Sequence, residues 1–184
     1  MTFKQSLLAS SLACLAFGAA AGDFTLSSPD IKAGGHLTSA QVFDGFGCTG
    51  KNISPALKWQ GAPAGTRSYA LTVYDPDAPT GSGWWHWVAL NIPASVQGLA
   101  EGAGTASGAG LPEGVVQVRT DFGQPGFGGA CPPVGDKPHR YIFTIHALKV
   151  PKLDLPPNAT AALAGYMIHA NELGQAGFTA YYGR

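Results

Sequence analysis

Ser68-Tyr69-Ala70-Leu71-Thr72-Val73-Tyr74-Asp75-Pro76-Asp77-Ala78-Pro79 reads as a strand with an enforced exit. A two-residue period places Tyr69, Leu71, Val73 and Asp75 on one face and Ala70, Thr72 and Tyr74 on the other. Pro76 has no N–H to give a ladder, so the strand stops there. Trp85 to Ile92 repeats the pattern, with His86, Val88, Leu90 and Ile92 on one face and Pro93 as the stop. His139 to Leu148 is a third such stretch, with His139, Tyr141, Phe143 and Ile145 on one face and Arg140, Ile142, Thr144 and His146 opposite. Shorter strands are expected at Phe24–Leu26, Ala56–Gln60, Val115–Arg119 and Phe178–Tyr182. One helix is expected, capped by Asn158, with Leu163, Met167, Ala170 and Leu173 at helical spacing. The plan is all-β or β-rich α+β.

Between these elements the chain is turn material. It carries 26 Gly and 14 Pro in 184 residues, and Gln41–Lys58 and Phe122–Pro138 are dense in both. Glu101–Gly114, rich in Gly and Ala, reads as a mobile surface loop. No internal repeat or heptad is present. With 11 basic against 11 acidic residues, the chain lacks the excess that phosphate neutralisation on a nucleic acid requires. A composition 45% hydrophobic and only 12% charged is that of a globular chain rather than a disordered one.

The first 21 residues are read separately. Lys4 supplies a positive start, Leu7–Phe17 an apolar run, and Ala19-Ala20-Ala21 a small-residue cleavage site. This is the pattern of a cleavable signal peptide, with an apolar run too short to span a bilayer. Cys14 could mark a lipoprotein, but Ser11-Leu12-Ala13 is a poor acylation sequence. Residues 1–21 are therefore expected to be removed, leaving residues 22–184 as a single domain that is periplasmic or secreted, with no transmembrane segment. Of the three cysteines, Cys48 and Cys131 remain after that cleavage. In an exported chain they read as a disulfide closing a long loop, with two packed thiols as the alternative.

Candidate chemistry sits at strand ends. Asp75 ends one strand, while His86 and His139 begin two others and Tyr141 shares His139's face. If the strands share a sheet, a carboxylate, two imidazoles and a phenol meet at its edge, beside the proline-stiffened Asp75–Pro79 and Cys131-Pro132-Pro133 loops. A strand-end histidine is otherwise an ordinary structural residue, the reading given to His36, His146 and His169. Trp84, Trp85 and Trp87 read as core residues before ligand contacts. No G-x-S-x-G, Walker A, G-x-G-x-x-G, H-E-x-x-H or C-x-x-C motif occurs. No catalytic residue, metal ligand or cofactor is assigned.

Several blocks together resemble a known family. Asp75-Pro76-Asp77-Ala78-Pro79, Trp84-Trp85-His86-Trp87 and Cys131-Pro132-Pro133 through His139-Arg140-Tyr141 are similar to signature blocks of the phosphatidylethanolamine-binding proteins, or Raf-kinase-inhibitor-like proteins. Cys48–Pro55 and Gly123–Gly129 resemble the adjoining blocks. The chain is most similar to exported members of the bacterial YbhB/YbcL branch. The resemblance implies a large antiparallel sheet packed on a smaller one, few helices, and a small surface pocket for anions or phosphorylated head groups. It carries Asp75, His86, Pro132, His139 and Tyr141 to pocket positions, with Asp77 and Pro133 in the supporting motif. The C-terminal helix of the animal members, which adds a tyrosine to the rim, has no counterpart here.

The leading expectation is a non-enzymatic module for a small anionic or phosphorylated ligand. A hydrolase using the Asp/His pocket and a secreted protein-interaction modulator are the alternatives. The protein partner is not named by the sequence, and a homodimer is left open.

Overall fold

The computed structural model describes residues 22–184, and the leader expected over residues 1–21 lies outside them. The elements run β1 (Thr25–Ser27), β2 (Asp44–Gly45), β3 (Cys48–Thr49), β4 (Leu57–Gln60), β5 (Ser68–Asp75), β6 (Trp84–Pro93), β7 (Gly98–Leu99), β8 (Val116–Gln117), β9 (His139–Leu148), α1 (Ala161–Asn171) and β10 (Glu172–Tyr182). A five-stranded antiparallel sheet has the order β10-β9-β5-β6-β8, and a three-stranded sheet the order β1-β4-β7, with β2 and β3 forming a small hairpin. This is the large sheet on a smaller one, with one late helix, that the sequence led us to expect.

The large sheet buries both faces. Tyr69, Leu71, Val73, Trp87, Ala89, Phe143 and Ile145 pack toward Leu26, Leu57, Trp59 and Leu99 of the smaller sheet. The opposite face, with Ala70, Val88, Leu90 and Leu148, is covered by Ala161, Ala164 and Ile168 of α1 and by Leu153. Because β5 runs antiparallel to both neighbours, its C-terminal end lies beside the first residues of β6 and β9. Asp75 pairs with Trp84, and Tyr74 with both Trp85 and Ile142.

Strand β6 departs from simple alternation. Val73 pairs with Trp87 and Tyr74 with Trp85, so His86 is the extra residue of a β-bulge. A second irregularity sets Leu90 and Asn91 against Ala70 alone, with Asn91 at φ 62° and its side chain bonded to the Leu153 backbone. Each bulge resets the facing. Val88 and Leu90 turn to the helix, while Trp87, Ala89 and Ile92 turn to the inter-sheet core. The common face expected for His86, Val88, Leu90 and Ile92 is therefore absent.

The helix also differs from expectation. Thr160, not Asn158, caps it, its hydroxyl accepting from Leu163 N at 3.1 Å. The buried stripe is Ala161, Ala164, Gly165 and Ile168, whereas Leu163 is exposed and Leu173 belongs to β10. The helix presents mainly small residues to the sheet, and a Cβ at Gly165 would meet the Trp85 ring at ordinary contact distance, 3.5 Å. The Glu101–Gly114 stretch is anchored rather than loose: Ala103 is buried, and Gly104 N donates to Ser54 Oγ at 2.9 Å. Among the described residues, no helix is long and apolar enough to cross a membrane.

Candidate functional site

A cavity of about 170 Å³ opens at the sheet edge where β5 ends and β6 and β9 begin. Asp75, His86, Pro132, Pro133, His139 and Tyr141 all line it, so six of the seven sequence-selected residues meet at one place. The seventh, Asp77, turns away. Its carboxylate takes a two-pronged contact from Arg140, with Nε at 2.9 Å and Nη2 at 2.6 Å, and also accepts from Arg140 N at 2.9 Å. The Arg140 guanidinium holds the Asp77 carboxyl down to about 2, which ties the β5 exit loop to β9.

Asp75 organises the floor. Its Oδ1 accepts from Asp77 N at 2.8 Å and Ala78 N at 3.2 Å, the local closure expected of an Asp ahead of a proline turn. Its Oδ2 accepts from His139 Nδ1 at 2.8 Å, and both side chains are buried. On the far side of the ring, Nε2 lies 3.4 Å from the partly exposed Asp136 carboxylate.

His86 is held differently. Its Nδ1 donates to Gly128 O at 2.6 Å, which leaves Nε2 without a proton in the neutral ring. Burial pulls its pKa below the usual histidine value, against the opposing pull of the Gly128 carbonyl and Asp75. The bulge is what turns this ring toward Tyr141, with centroids 5.1 Å apart. Gly128 has to be glycine, since a Cβ there would sit 2.3 Å from the Phe122 ring that packs on His86.

Two donors are left over. The Tyr141 hydroxyl is buried with no hydrogen-bond partner, and its pKa is pushed well up by burial and by Asp75. Trp84 lines the same cavity, and its buried indole N–H has no partner either. Buried polar groups are rarely left unpaired, and here two of them belong to residues that line one cavity. No Lys or Arg lines the cavity. Among the described residues, no three His, Cys, Asp or Glu side chains converge as metal ligands would.

Sequence reasoning missed the aromatic wall. Phe46 and Phe122 line the cavity and stack at 5.9 Å with 13° between their planes, and Phe43 packs on both. Trp84 meets Phe122 edge-on at 5.4 Å. Of the three tryptophans read as core, Trp87 is fully buried, Trp85 packs on Tyr74 and near Gly165, and Trp84 belongs to the cavity. The available signal was an aromatic beside glycine within irregular chain, Gly45-Phe46-Gly47 and Phe122-Gly123. The Cys48 and Cys131 sulfurs meet at bonding distance, with Cα atoms 6.0 Å apart, joining the Phe46 hairpin to the Pro132 wall. His146, read as an ordinary structural residue, is buried between Thr72 and Glu172 and away from the cavity.

The phosphatidylethanolamine-binding protein family model matches residues 27–183. Escherichia coli YbcL is 53% identical over 179 residues, covering 97% of this chain and 98% of YbcL. Escherichia coli YbhB is 49% identical over 157 residues, covering 85% of this chain and 98% of its own. The crystal structure of E. coli YbcL, described as a new member of the mammalian PEBP family, matches with a TM-score of 0.87 at 55% identity, over 89% of this chain and 99% of that one. With the family model spanning nearly all the described residues and relatives aligned along almost their whole lengths, this chain belongs to the phosphatidylethanolamine-binding protein family.

Proposed function

We propose that this protein is an exported, non-enzymatic binder of a small anionic or phosphorylated ligand, held in the cavity between Asp75, His86, His139 and Tyr141. The observation that carries the reading is the buried, unpartnered Tyr141 hydroxyl in a cavity that also holds an unpaired indole N–H. Neutral donors that meet a ligand acceptor cost no charge burial, and a protonated His86 Nε2 adds a stronger, charge-assisted bond. Asp77 and Arg140 support the wall from outside. Export is supported by the leader pattern of residues 1–21 and by the proximity of Cys48 and Cys131, since disulfides persist in oxidising compartments.

The sign of the pH dependence follows from His86. In the free protein burial holds its pKa below 6.5, and a bound anion favours the imidazolium and raises it. Binding therefore takes up a proton, and affinity rises as pH falls through the window between those two values, by at most about tenfold per pH unit. NMR titrations with O-phosphorylethanolamine and inorganic phosphate at pH 5, 6.5 and 8 test this. Shifts confined to Asp75, His86, Pro132, Pro133, His139 and Tyr141, stronger at pH 5 and lost in a His86→Ala, His139→Ala variant, are expected. No shift at millimolar ligand would remove the anion reading.

The 2.8 Å bond from His139 to Asp75 is also the arrangement of a general base and its orienting carboxylate. A hydrolase is thus the second reading, and turnover of a phosphate or carboxylate ester that His139→Ala abolishes would replace the first.

A further inference from the structure

Phe46 is 68% exposed, yet the hairpin that carries it is tied to the rest of the fold on two sides. Its backbone sits at φ 52°, a left-handed conformation that bulky residues seldom adopt and that is strained. Two neighbours keep the hairpin in place. Cys48, two residues on, reaches Cys131. From the far end of β10, Arg184 donates to Gly47 O at 3.0 Å and Phe46 O at 3.4 Å, and its Nε donates to Pro132 O at 2.7 Å. One guanidinium thus bridges both walls of the cavity. These ties, with the packing on Phe43 and Phe122, fix a largely exposed ring beside the cavity, as a contact surface requires.

The cavity's size points the same way. About 170 Å³ is well below the roughly 300–1,000 Å³ that encloses a drug-sized molecule. It admits a head group, and whatever the head group carries must lie across the rim. On one side that rim is the Phe46–Phe122 stack, backed by Phe43. The cavity's polar groups can satisfy an acid head, and the Phe46–Phe122 stack offers the remainder an apolar surface.

Resting on the anion reading above, we infer that the ligand is an organic anion whose apolar, ring-sized body packs on Phe46 outside the cavity, and that Phe46 is the specificity-determining residue. Arg184 acts through Phe46 as a positioning residue. Inorganic phosphate and short polar esters would fill the head-group site alone.

Isothermal titration of the purified protein with phenyl phosphate and with methyl phosphate tests this, because both probes carry the same head group. The wild-type protein is expected to bind phenyl phosphate roughly three- to tenfold more tightly, the range of one aromatic contact. In Phe46→Asn, which tolerates the left-handed backbone, that ratio falls to about one. In Tyr166→Asn, which removes an exposed ring on α1 far from the cavity, the ratio is unchanged. Arg184→Ala lowers the ratio, and Arg184→Lys restores part of it. Equal binding of the two probes by the wild type, or a preference that survives in Phe46→Asn, overturns the inference and leaves the anion site standing. Failure of the wild type to bind either probe at millimolar concentration removes the anion site and the inference with it.

Discussion

At the scale of single residues, the site is built from groups kept short of partners. The Tyr141 hydroxyl is the clearest, lying in a wall that is otherwise apolar and beside the buried Asp75–His139 pair. Leaving a buried hydroxyl unsatisfied costs about 1–3 kcal/mol, and on the proposed reading a ligand oxygen removes that penalty. Tyr141→Phe should therefore leave the free protein equally or more stable in urea unfolding, by up to about 1 kcal/mol. It should weaken phosphate binding about tenfold in the same preparation, the worth of a hydrogen bond to a charged group. A loss of both stability and binding would mean that the hydroxyl serves the fold.

At the scale of elements, the decisive feature is the bulge at His86. Alternation would have turned that ring onto the helix side with Val88 and Leu90. One inserted residue moves it to the face of Asp75 and Tyr141 and puts Trp85 over the helix. The sheet thereby serves two masters, a packed helix on one face and a binding edge reached from the other. Ile168, fully buried in α1, separates the two roles. Ile168→Ala should cost about 2–5 kcal/mol in unfolding free energy. Phosphate affinity should stay within twofold, because the cavity lies beyond the opposite face. A parallel collapse of affinity would show that the helix sets the geometry of the site.

At the scale of the whole molecule, the cavity is closed by chain segments that are far apart in sequence. Cys48 and Cys131 are 83 residues apart, and Arg184 reaches carbonyls 137 and 138 residues before it. A covalent tie across a loop of that length contributes about 4–5 kcal/mol through the unfolded chain. Replacing both cysteines with serine should lower the unfolding free energy by about that amount. It should also increase hydrogen exchange at Gly45–Cys48 and Cys131–Pro133 more than in β5, since those segments then lose their covalent tie and keep only the Arg184 bonds and local packing. A variant as stable as the parent, with unchanged exchange, would mean that the two sulfurs are not bonded in solution.

Much of this architecture was legible in the chain itself. The periods of β5 and β9 put Tyr69, Leu71 and Val73 on one face and Tyr141, Phe143 and Ile145 on one face, as observed, because alternation along a regular strand is set by covalent geometry; that both face the inter-sheet core came from the structure. The proline after Asp75 marked the edge where the cavity opens, and the ordered blocks from Cys48 to Tyr141 carried the family. The parity of β6 was not legible, because a bulge leaves no reliable mark on composition and its location depends on which residues the neighbouring strand offers. The helix cap and its buried stripe were misjudged for a related reason: burial of Ala164 and Gly165 rather than Leu163 depends on how closely the sheet lets the helix approach. Phe46 and Phe122 left only the weak local mark of an aromatic beside glycine, and Arg184 left none. Nothing within a few residues of each says that they meet, and only the antiparallel sheet, by gathering distant loops at one edge, decided it.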